Sequence, residues 1–333
     1  MAPIHKTLGP VAIALPYIFL YLSAFGDPGT ITAHNHTREM ARYPYDFSLF
    51  RPGVECATCL LLKPARSKHC SVCKKCIARA DHHCIFINNC VGAGNQHWFV
   101  LLLLSTATLT MYGGVVGLGL IADRIRGSRY GGGMGWAMLP WNANGGQGME
   151  LRDWLIGWGY GIQGSGYVRL GGVTMLSLLT SPLVWGLLVY HIYLIYCGTT
   201  TNESMKWSDW QADMDDGCVF KRSLDPVGRV KDLSVEPEWT RWPVEPVQVM
   251  LRTNDGRPPR SASFELPGVG EWEQVWKLRD VENLYDIGFW DNLVDVFLPY
   301  YMFRDPHRQR EIPEAVERGR PRGKRGGKRR GGR

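Results

Sequence analysis

A membrane all-α fold is what this sequence predicts: a bundle of three transmembrane helices attached to a small, loop-rich, cysteine-rich domain. Two observations carry that expectation. Three runs, Leu8 to Gly26, Trp98 to Ile121 and Gly171 to Cys197, are long and apolar enough for bilayer helices, which need about 20 residues each. Seven of the nine cysteines, with three histidines among them, fall between Cys56 and Cys90. The mean hydropathy of −0.17 resembles that of a soluble protein only because the apolar runs are averaged with a polar, arginine-rich end.

The first run, residues 8–26, is the shortest and contains Pro16. Preceded by Lys6 and ending in Ala24 to Gly26, it also has the make-up of a cleaved leader. Cleavage would put the cysteine cluster in an oxidising lumen, where clustered thiolates are at risk, so the spanning reading is preferred. Residues 27–97 form the cysteine-rich domain, with its core at 54–92. The run 98–121 has no charged residue, opens on Trp98 and Phe99, and as a helix would reach ~36 Å. Residues 122–170 make a loop rich in glycine and tryptophan. The run 171–197 closes on Tyr190, His191, Tyr193 and Tyr196, the aromatic belt of a helix leaving the hydrocarbon; His191 reads there as a hydrogen-bonded structural residue. Gly113, Gly114, Gly117, Ser177 and Ser181 would let the second and third helices approach closely, or would set the depth of an apolar cavity between them.

Residues 198–303 are a polar C-terminal region with a loop at Asn254 to Pro267 and a mixed aromatic and acidic stretch from Glu271 to Phe303. Residues 304–333 form a basic tail, nearly all Arg, Gly and Lys from Arg318 onward, which cannot bury an apolar face and is expected to be disordered. The formal charge of +7 suits an anionic partner. A tail drawn to lipid head groups needs fewer assumptions than an RNA-binding one, so the bilayer is the expected partner and nucleic acid is not. The stretch from Asp27 to His97 holds nine Lys or Arg, against five from Ala122 to Leu170, which puts the cysteine cluster and the C-terminal region in the cytosol and the loop 122–170 in the lumen.

The cluster reads Cys56-x2-Cys59-x9-His69-Cys70-x2-Cys73-x2-Cys76-x4-Asp81-His82-His83-Cys84-x5-Cys90. Seven thiols and three imidazoles make ten possible ligands, and two tetrahedral structural zinc ions take eight. Neighbours on an extended strand point to opposite faces, so His69 and Cys70 serve different ions. Two interleaved sites result: Cys56, Cys59, His69 and Cys76 for one ion, Cys70, Cys73, His83 and Cys90 for the other. With His83 turned to metal, His82 and Cys84 turn together the other way. Asp81 is next in line to orient the imidazole, an arrangement that nucleophilic catalysis by cysteine requires.

Asp81-His82-His83-Cys84 in this frame, followed by Asn88-Asn89-Cys90-Val91-Gly92 and Asn95, resembles the DHHC palmitoyltransferases. The match is dense over about 45 residues. Asp27-Pro28-Gly29, Thr200-Thr201-Asn202-Glu203, and Asn283-Leu284-Tyr285-Asp286-Ile287-Gly288 with Asn292 resemble three outlying family elements. Thr200-x-x-Glu203 is equally a helix capping box, and proline usually stands where this chain has Leu284. The resemblance implies a protein S-palmitoyltransferase in which Cys84 takes a fatty acyl group as a thioester from acyl-CoA and passes it to cysteines of membrane proteins. It further implies His82 as general base, Asp81 as its holder and His83 as a zinc ligand. Arg66 and Lys68 are candidates for the phosphates of CoA. Lys63 to Lys68 and Ile85 to Gln96 look closest to the fungal branch that acylates SNARE proteins, which implies an endoplasmic reticulum membrane, with the Golgi as the alternative. Family members usually have four spanning helices, and here Asp27-Pro28-Gly29 follows the first; either the opening helix is missing or the protein starts further upstream. A RING-type cross-braced module and a purely structural zinc scaffold are the rivals, but neither has use for an unclaimed His and Cys side by side.

Overall fold

The computed structural model describes residues 3–127, 168–224, 229, 231–259, 267–299 and 301. In chain order the elements are helices α1 (Pro3–Phe25) and α2 (His36–Met40), strands β1 (Lys68–Cys70), β2 (Lys75–Ile77), β3 (His82–Cys84) and β4 (Asn89–Val91), and helices α3 (Gln96–Gly127), α4 (Val168–Tyr196) and α5 (Thr201–Asp215). Strands β5 (Val219–Ser223), β6 (Gln248–Arg252) and β7 (Val269–Gln274) and helix α6 (Phe289–Phe297) complete the set. Helices α1, α3 and α4 are long and apolar enough to cross a membrane, over Ile4–Phe25, Gln96–Ala122 and Arg169–Tyr196. The first begins earlier than Leu8 because Pro3 suits the opening turn of a helix and backbone bonding continues through His5 and Lys6, where hydropathy alone stops.

Close packing joins the three. A Cβ on Gly117 would lie 2.1 Å from Thr174 Oγ1 and one on Gly114 2.8 Å from Leu178 Cδ2, so glycine there lets α3 and α4 touch backbone to side chain. Phe19 of α1 stacks on Trp98 of α3 at 6.2 Å, and His5 Nδ1 meets the Tyr112 hydroxyl at 2.7 Å.

The cysteine-rich domain has two small antiparallel hairpins, β1 with β2 and β3 with β4. It hangs from the end of α1 through two amides. Asn89 Nδ2 donates to the carbonyls of Ser23, Ala24 and Gly26, and Asn95 Nδ2 to those of Ser23 and Cys90, pairing carbonyls that a helix end leaves free. The turn at Asp27 closes the junction, its carboxylate accepting from the Gly29 and Thr30 amides. Gly94 has no room for a side chain there, since a Cβ would sit 2.2 Å from the Asp27 carbonyl oxygen.

The C-terminal region holds a three-stranded antiparallel sheet in the order β6-β5-β7, with α5 packed on it through Trp207, Trp210 and Met214 against Val219 and Met250. No pattern in the sequence marks these strands: β5 and β6 are five residues each, and β5 has two buried residues side by side, Val219 and Phe220, which breaks the alternation. Residues 128–167, 260–266 and 302–333 lie outside the described residues, and with them most of the loop expected over 122–170, part of the Asn254 to Pro267 loop and the basic tail.

Candidate active site

Each hairpin sets a histidine opposite a cysteine: His69 pairs with Cys76 and His83 with Cys90. Each then needs two more ligands from a Cys-x2-Cys turn. Cys56 and Cys59 serve the first hairpin. Cys70 and Cys73, at the end of the first hairpin, turn away from His69 and serve the second. The eight donor atoms form two groups, Cys56, Cys59, His69 and Cys76, and Cys70, Cys73, His83 and Cys90, within each of which all atoms lie within 4.8 Å of one another.

Either group could hold a metal ion. Sulfur to Nδ1 distances run from 3.4 to 3.7 Å in both. A tetrahedral ion with metal–sulfur bonds of about 2.3 Å and metal–nitrogen bonds of about 2.05 Å has sulfur–nitrogen edges of about 3.6 Å, so these separations are the edges of a coordination tetrahedron. The amides of Cys59 and Cys73 point at Cys56 and Cys70 Sγ, both at 3.4 Å, as turns around a bound ion do.

Cys84 belongs to neither group. It is buried in an apolar cluster with Ile87, Val91, Phe99 and Leu188. His82, two residues before it on β3, hydrogen-bonds to it, and His82 Nδ1 donates to Asp81 Oδ2 at 2.6 Å. Burial opposes charge on all three groups and is outweighed on each. Hydrogen bonds to Asp81 and Cys84 push His82 up to about 9. The His82 bond and the amides of Ile87 and Phe86 bring Cys84 below the ordinary thiol value. Asp81 is held below the usual carboxylate range by His82 and by the Thr201 amide. Both shifts run in the direction that favours an imidazolium at His82 and a thiolate at Cys84.

Asp81 is fixed by a residue 120 positions away in the chain. The Thr201 amide donates to its Oδ1 at 2.7 Å and the Thr201 hydroxyl to its Oδ2 at 2.8 Å. Thr201 is the first residue of α5, so the carboxylate rests on a helix N-terminus. The capping box is present too: Thr200 Oγ1 accepts from the Glu203 amide at 3.3 Å, and Glu203 Oε2 from the Thr200 amide at 3.0 Å. Both readings of this motif therefore coexist, because the cap builds the helix end that holds Asp81.

Glu203 also takes Arg66, at 2.8 Å from Nε and 2.6 Å from Nη2. The guanidinium is fully buried, donates to the Gly198 carbonyl, and stacks 4.5 Å from the Tyr285 ring centroid and 5.0 Å from that of Tyr43. Arg66 is thus committed inside the protein and has no face for a phosphate, unlike Lys68, which stays exposed. Lys68 borders two hollows: a cleft of about 420 Å³ shared with Lys63, Lys206 and Arg51, and one of about 170 Å³ shared with Asp81, His82 and His83.

The C-terminal element clips the end of α4. Asn283 Nδ2 donates to the Cys197 carbonyl at 2.8 Å and Asn292 Nδ2 to that of Tyr196 at 3.3 Å. Asp286 Oδ1 holds Asn292, and the Tyr285 hydroxyl donates to the Pro44 carbonyl. Leu284 packs in the core, so the missing proline leaves the element intact.

A second buried network escaped the sequence reading. Asp295 of α6 accepts hydrogen bonds from the Tyr43 hydroxyl at 2.6 Å and Arg241 at 2.8 Å, and forms an ion pair with Arg79 Nε at 3.3 Å. It ties the cysteine-rich domain, the segment after α2 and the C-terminal region to one carboxylate. No local motif marks residues so far apart in the chain. His191 also departs from expectation: its Nδ1 is buried without a hydrogen-bond partner among the described residues.

A DHHC palmitoyltransferase family model matches residues 51–208, which span both metal groups, the Asp81–Cys84 strand and the start of α5. Palmitoyltransferase SWF1 of Neurospora crassa is 63% identical over 326 residues, covering 96% of this chain and 74% of its own. The chain belongs to the DHHC palmitoyltransferase family. Palmitoyltransferase swf1 of Aspergillus fumigatus is 42% identical over 88% of this chain and 78% of its own, and bovine palmitoyltransferase ZDHHC4 is 45% identical over 106 residues, 29% of this chain and 31% of its own. The bovine similarity covers less than a third of either chain, whereas these two fungal ones cover most of this chain and about three quarters of the relatives' own. This palmitoyltransferase is a membrane protein that S-acylates protein substrates, and its two Cys/His groups could hold metal ions, consistent with the zinc fingers of the family.

Proposed function

We propose that Cys84 is the acyl carrier of this palmitoyltransferase, with His82 as its base and Asp81 as the group that orients His82. One observation supports it above the rest: Cys84 stays outside two complete tetrahedral donor sets and faces an imidazole whose other nitrogen is held by a carboxylate. The Cys84 thiolate attacks the carbonyl carbon of acyl-CoA and forms a carbon–sulfur bond while the carbonyl electron pair moves to oxygen. Collapse restores the carbonyl and expels the CoA thiolate, which takes the proton from His82. A substrate cysteine then gives its proton to His82, attacks the Cys84 thioester and leaves Cys84 as thiolate.

Two Zn²⁺ ions are the proposed occupants of the metal groups. Four protein ligands each leave no open position, so their part is to fold the hairpins and fix Cys84. Palmitoyl-CoA is the proposed donor, its phosphates received by Lys68 with Lys63 and Lys206 around the larger cleft. Arg66 leaves that role and becomes the anchor of Glu203. The module at 27–97 and the region 198–303 face the cytosol, and the loop 122–170 the lumen, in an endoplasmic reticulum membrane in preference to the Golgi. SNARE proteins with cysteines next to their membrane anchors are the proposed substrates. These finer assignments rest on charge distribution and on the branch resemblance at Lys63 to Lys68 and Ile85 to Gln96.

Incubation of the purified full chain with labelled palmitoyl-CoA tests the central reading. The parent should acquire a hydroxylamine-sensitive label on the Cys84 peptide and pass it to a peptide bearing a juxtamembrane cysteine, while Cys84→Ser acquires none and keeps two zincs. Equal label on both proteins would reject Cys84 as carrier.

A further inference from the structure

His191 is a histidine in an otherwise apolar span, and it lies on the side of α4 that faces the nucleophile. Leu188 and Ile195, one turn before and one after it, are buried in the apolar cluster that contains Cys84, Ile87 and Phe99. His191 itself is 3% exposed. Its ring centroid is 5.9 Å from that of His82 and 5.2 Å from that of Phe99, which it meets edge-on. Phe99 in turn meets His82 edge-on at 5.4 Å, so two rings, Phe99 and His191, stand against that of His82.

A structural histidine at such a depth would pair its ring nitrogens with a carbonyl or a neighbouring side chain, yet Nδ1 of His191 is buried with no partner among the described residues. An unpaired buried polar atom is unfavourable, and one kept beside a nucleophile points to a ligand that completes it. The neighbouring donors are already engaged. Nδ1 of His82 is held by Asp81, and the ring also bonds the Cys84 sulfur, where its base role lies. The amides of Phe86 and Ile87 point at that sulfur as well. Attack on the thioester moves an electron pair onto the carbonyl oxygen, and a second donor is needed where that charge develops.

We propose that His191 donates a hydrogen bond from its ring to the carbonyl oxygen of the acyl thioester, as the oxyanion donor of both transfer steps. This rests on Cys84 as the acyl carrier. His191 keeps its proton throughout; the bond to oxygen strengthens as the tetrahedral species forms and relaxes as the carbonyl returns. The fatty acyl thioester is therefore its ligand, met first on CoA and then on Cys84.

Two rates on the Cys84 peptide of the metal-loaded full chain separate this role from a structural one. Acylation by palmitoyl-CoA in a single turnover develops an oxyanion, whereas alkylation by iodoacetamide uses the same thiolate and does not. His191→Leu should slow acylation about 100- to 1,000-fold, the range for loss of one oxyanion donor, and leave alkylation within about threefold of the parent. His191→Gln, which keeps a donor, should recover part of the acylation rate. Acylation of His191→Leu at the parent rate would overturn the proposal, and so would a parallel fall of both rates, which marks a residue that only positions His82. If His191→Leu loses its metal or its unfolding transition, His191→Phe carries the same comparison. A parent that takes no label on Cys84 defeats the acyl-carrier reading instead, so the two failures are told apart.

Discussion

Glu203→Ala should destabilise this enzyme more than an ordinary surface substitution, because it strands a buried cation. Glu203 and Arg66 are each almost wholly buried and joined at 2.6 and 2.8 Å. Removing one partner of such a pair costs about 3–5 kcal/mol, since the remaining charge has neither water nor a counter-ion. The capping box is lost as well, for about 1 kcal/mol. A total of roughly 4–6 kcal/mol, set against a usual stability of about 5–15, is a large share. At roughly 1.4 °C per kcal/mol for a chain of this size, the unfolding midpoint should fall by about 6–9 °C. Tryptophan fluorescence of the metal-loaded protein in detergent reads it, because Trp207, Trp210 and Trp242 are buried in the C-terminal cores. Arg66→Met together with Glu203→Leu should recover most of the loss, giving a coupling of roughly 2–3 kcal/mol in the cycle. Strict additivity, or a Glu203→Ala midpoint within 2 °C of the parent, would refute the assignment of Arg66 to this pair.

Thr201→Val removes one of three hydrogen bonds to the Asp81 carboxylate; at about 1.5–3 kcal/mol for a charged acceptor, acyl transfer should fall roughly 10- to 100-fold and recover in Thr201→Ser, as label transfer per minute would show. Gly117→Ala should lower the unfolding midpoint by the equivalent of about 1–3 kcal/mol, since its Cβ meets Thr174 Oγ1, while Gly119→Ala, with open space around it, should not. Burial would raise the Asp295 pKa, but Arg79, Arg241 and Arg66 and the Tyr43 hydroxyl hold it below the usual carboxylate range. A depressed carboxylate contributes stability that is present above its unfolded pKa of about 3.9 and is lost as pH falls through the lower folded value. Acid titration of the unfolding midpoint should therefore steepen below about pH 4 in the parent and flatten in Asp295→Asn.

What the sequence made legible was local. The spacing from Cys56 to Cys90 contains its own geometry, because alternation along a strand separates His69 from Cys70 and His83 from His82 within one or two residues. The long apolar runs announce themselves by composition. What stayed hidden is held by contacts across more than a hundred residues. Thr200 to Glu203 reads as a cap, but nothing in those four residues says that Thr201 reaches Asp81, 120 positions away. Arg66 looked like a phosphate ligand because its sequence neighbours are basic; its burial depends on Glu203, Tyr43 and Tyr285. The short strands β5 to β7 gave too few residues of alternation to register. His191 carried a usable signal, an imidazole among apolar residues in a span, but its neighbour His82 comes from a distant segment.

Everything proposed for this enzyme depends on Cys84 being free of metal. X-ray absorption at the zinc edge, with zinc stoichiometry, on the parent and on Cys84→Ser tests that directly. Two ions per chain, each with three sulfurs and one nitrogen and unchanged in Cys84→Ser, are expected from donor sets that leave Cys84 out. Loss of an ion in Cys84→Ser, or a fall in its sulfur count, would contradict them.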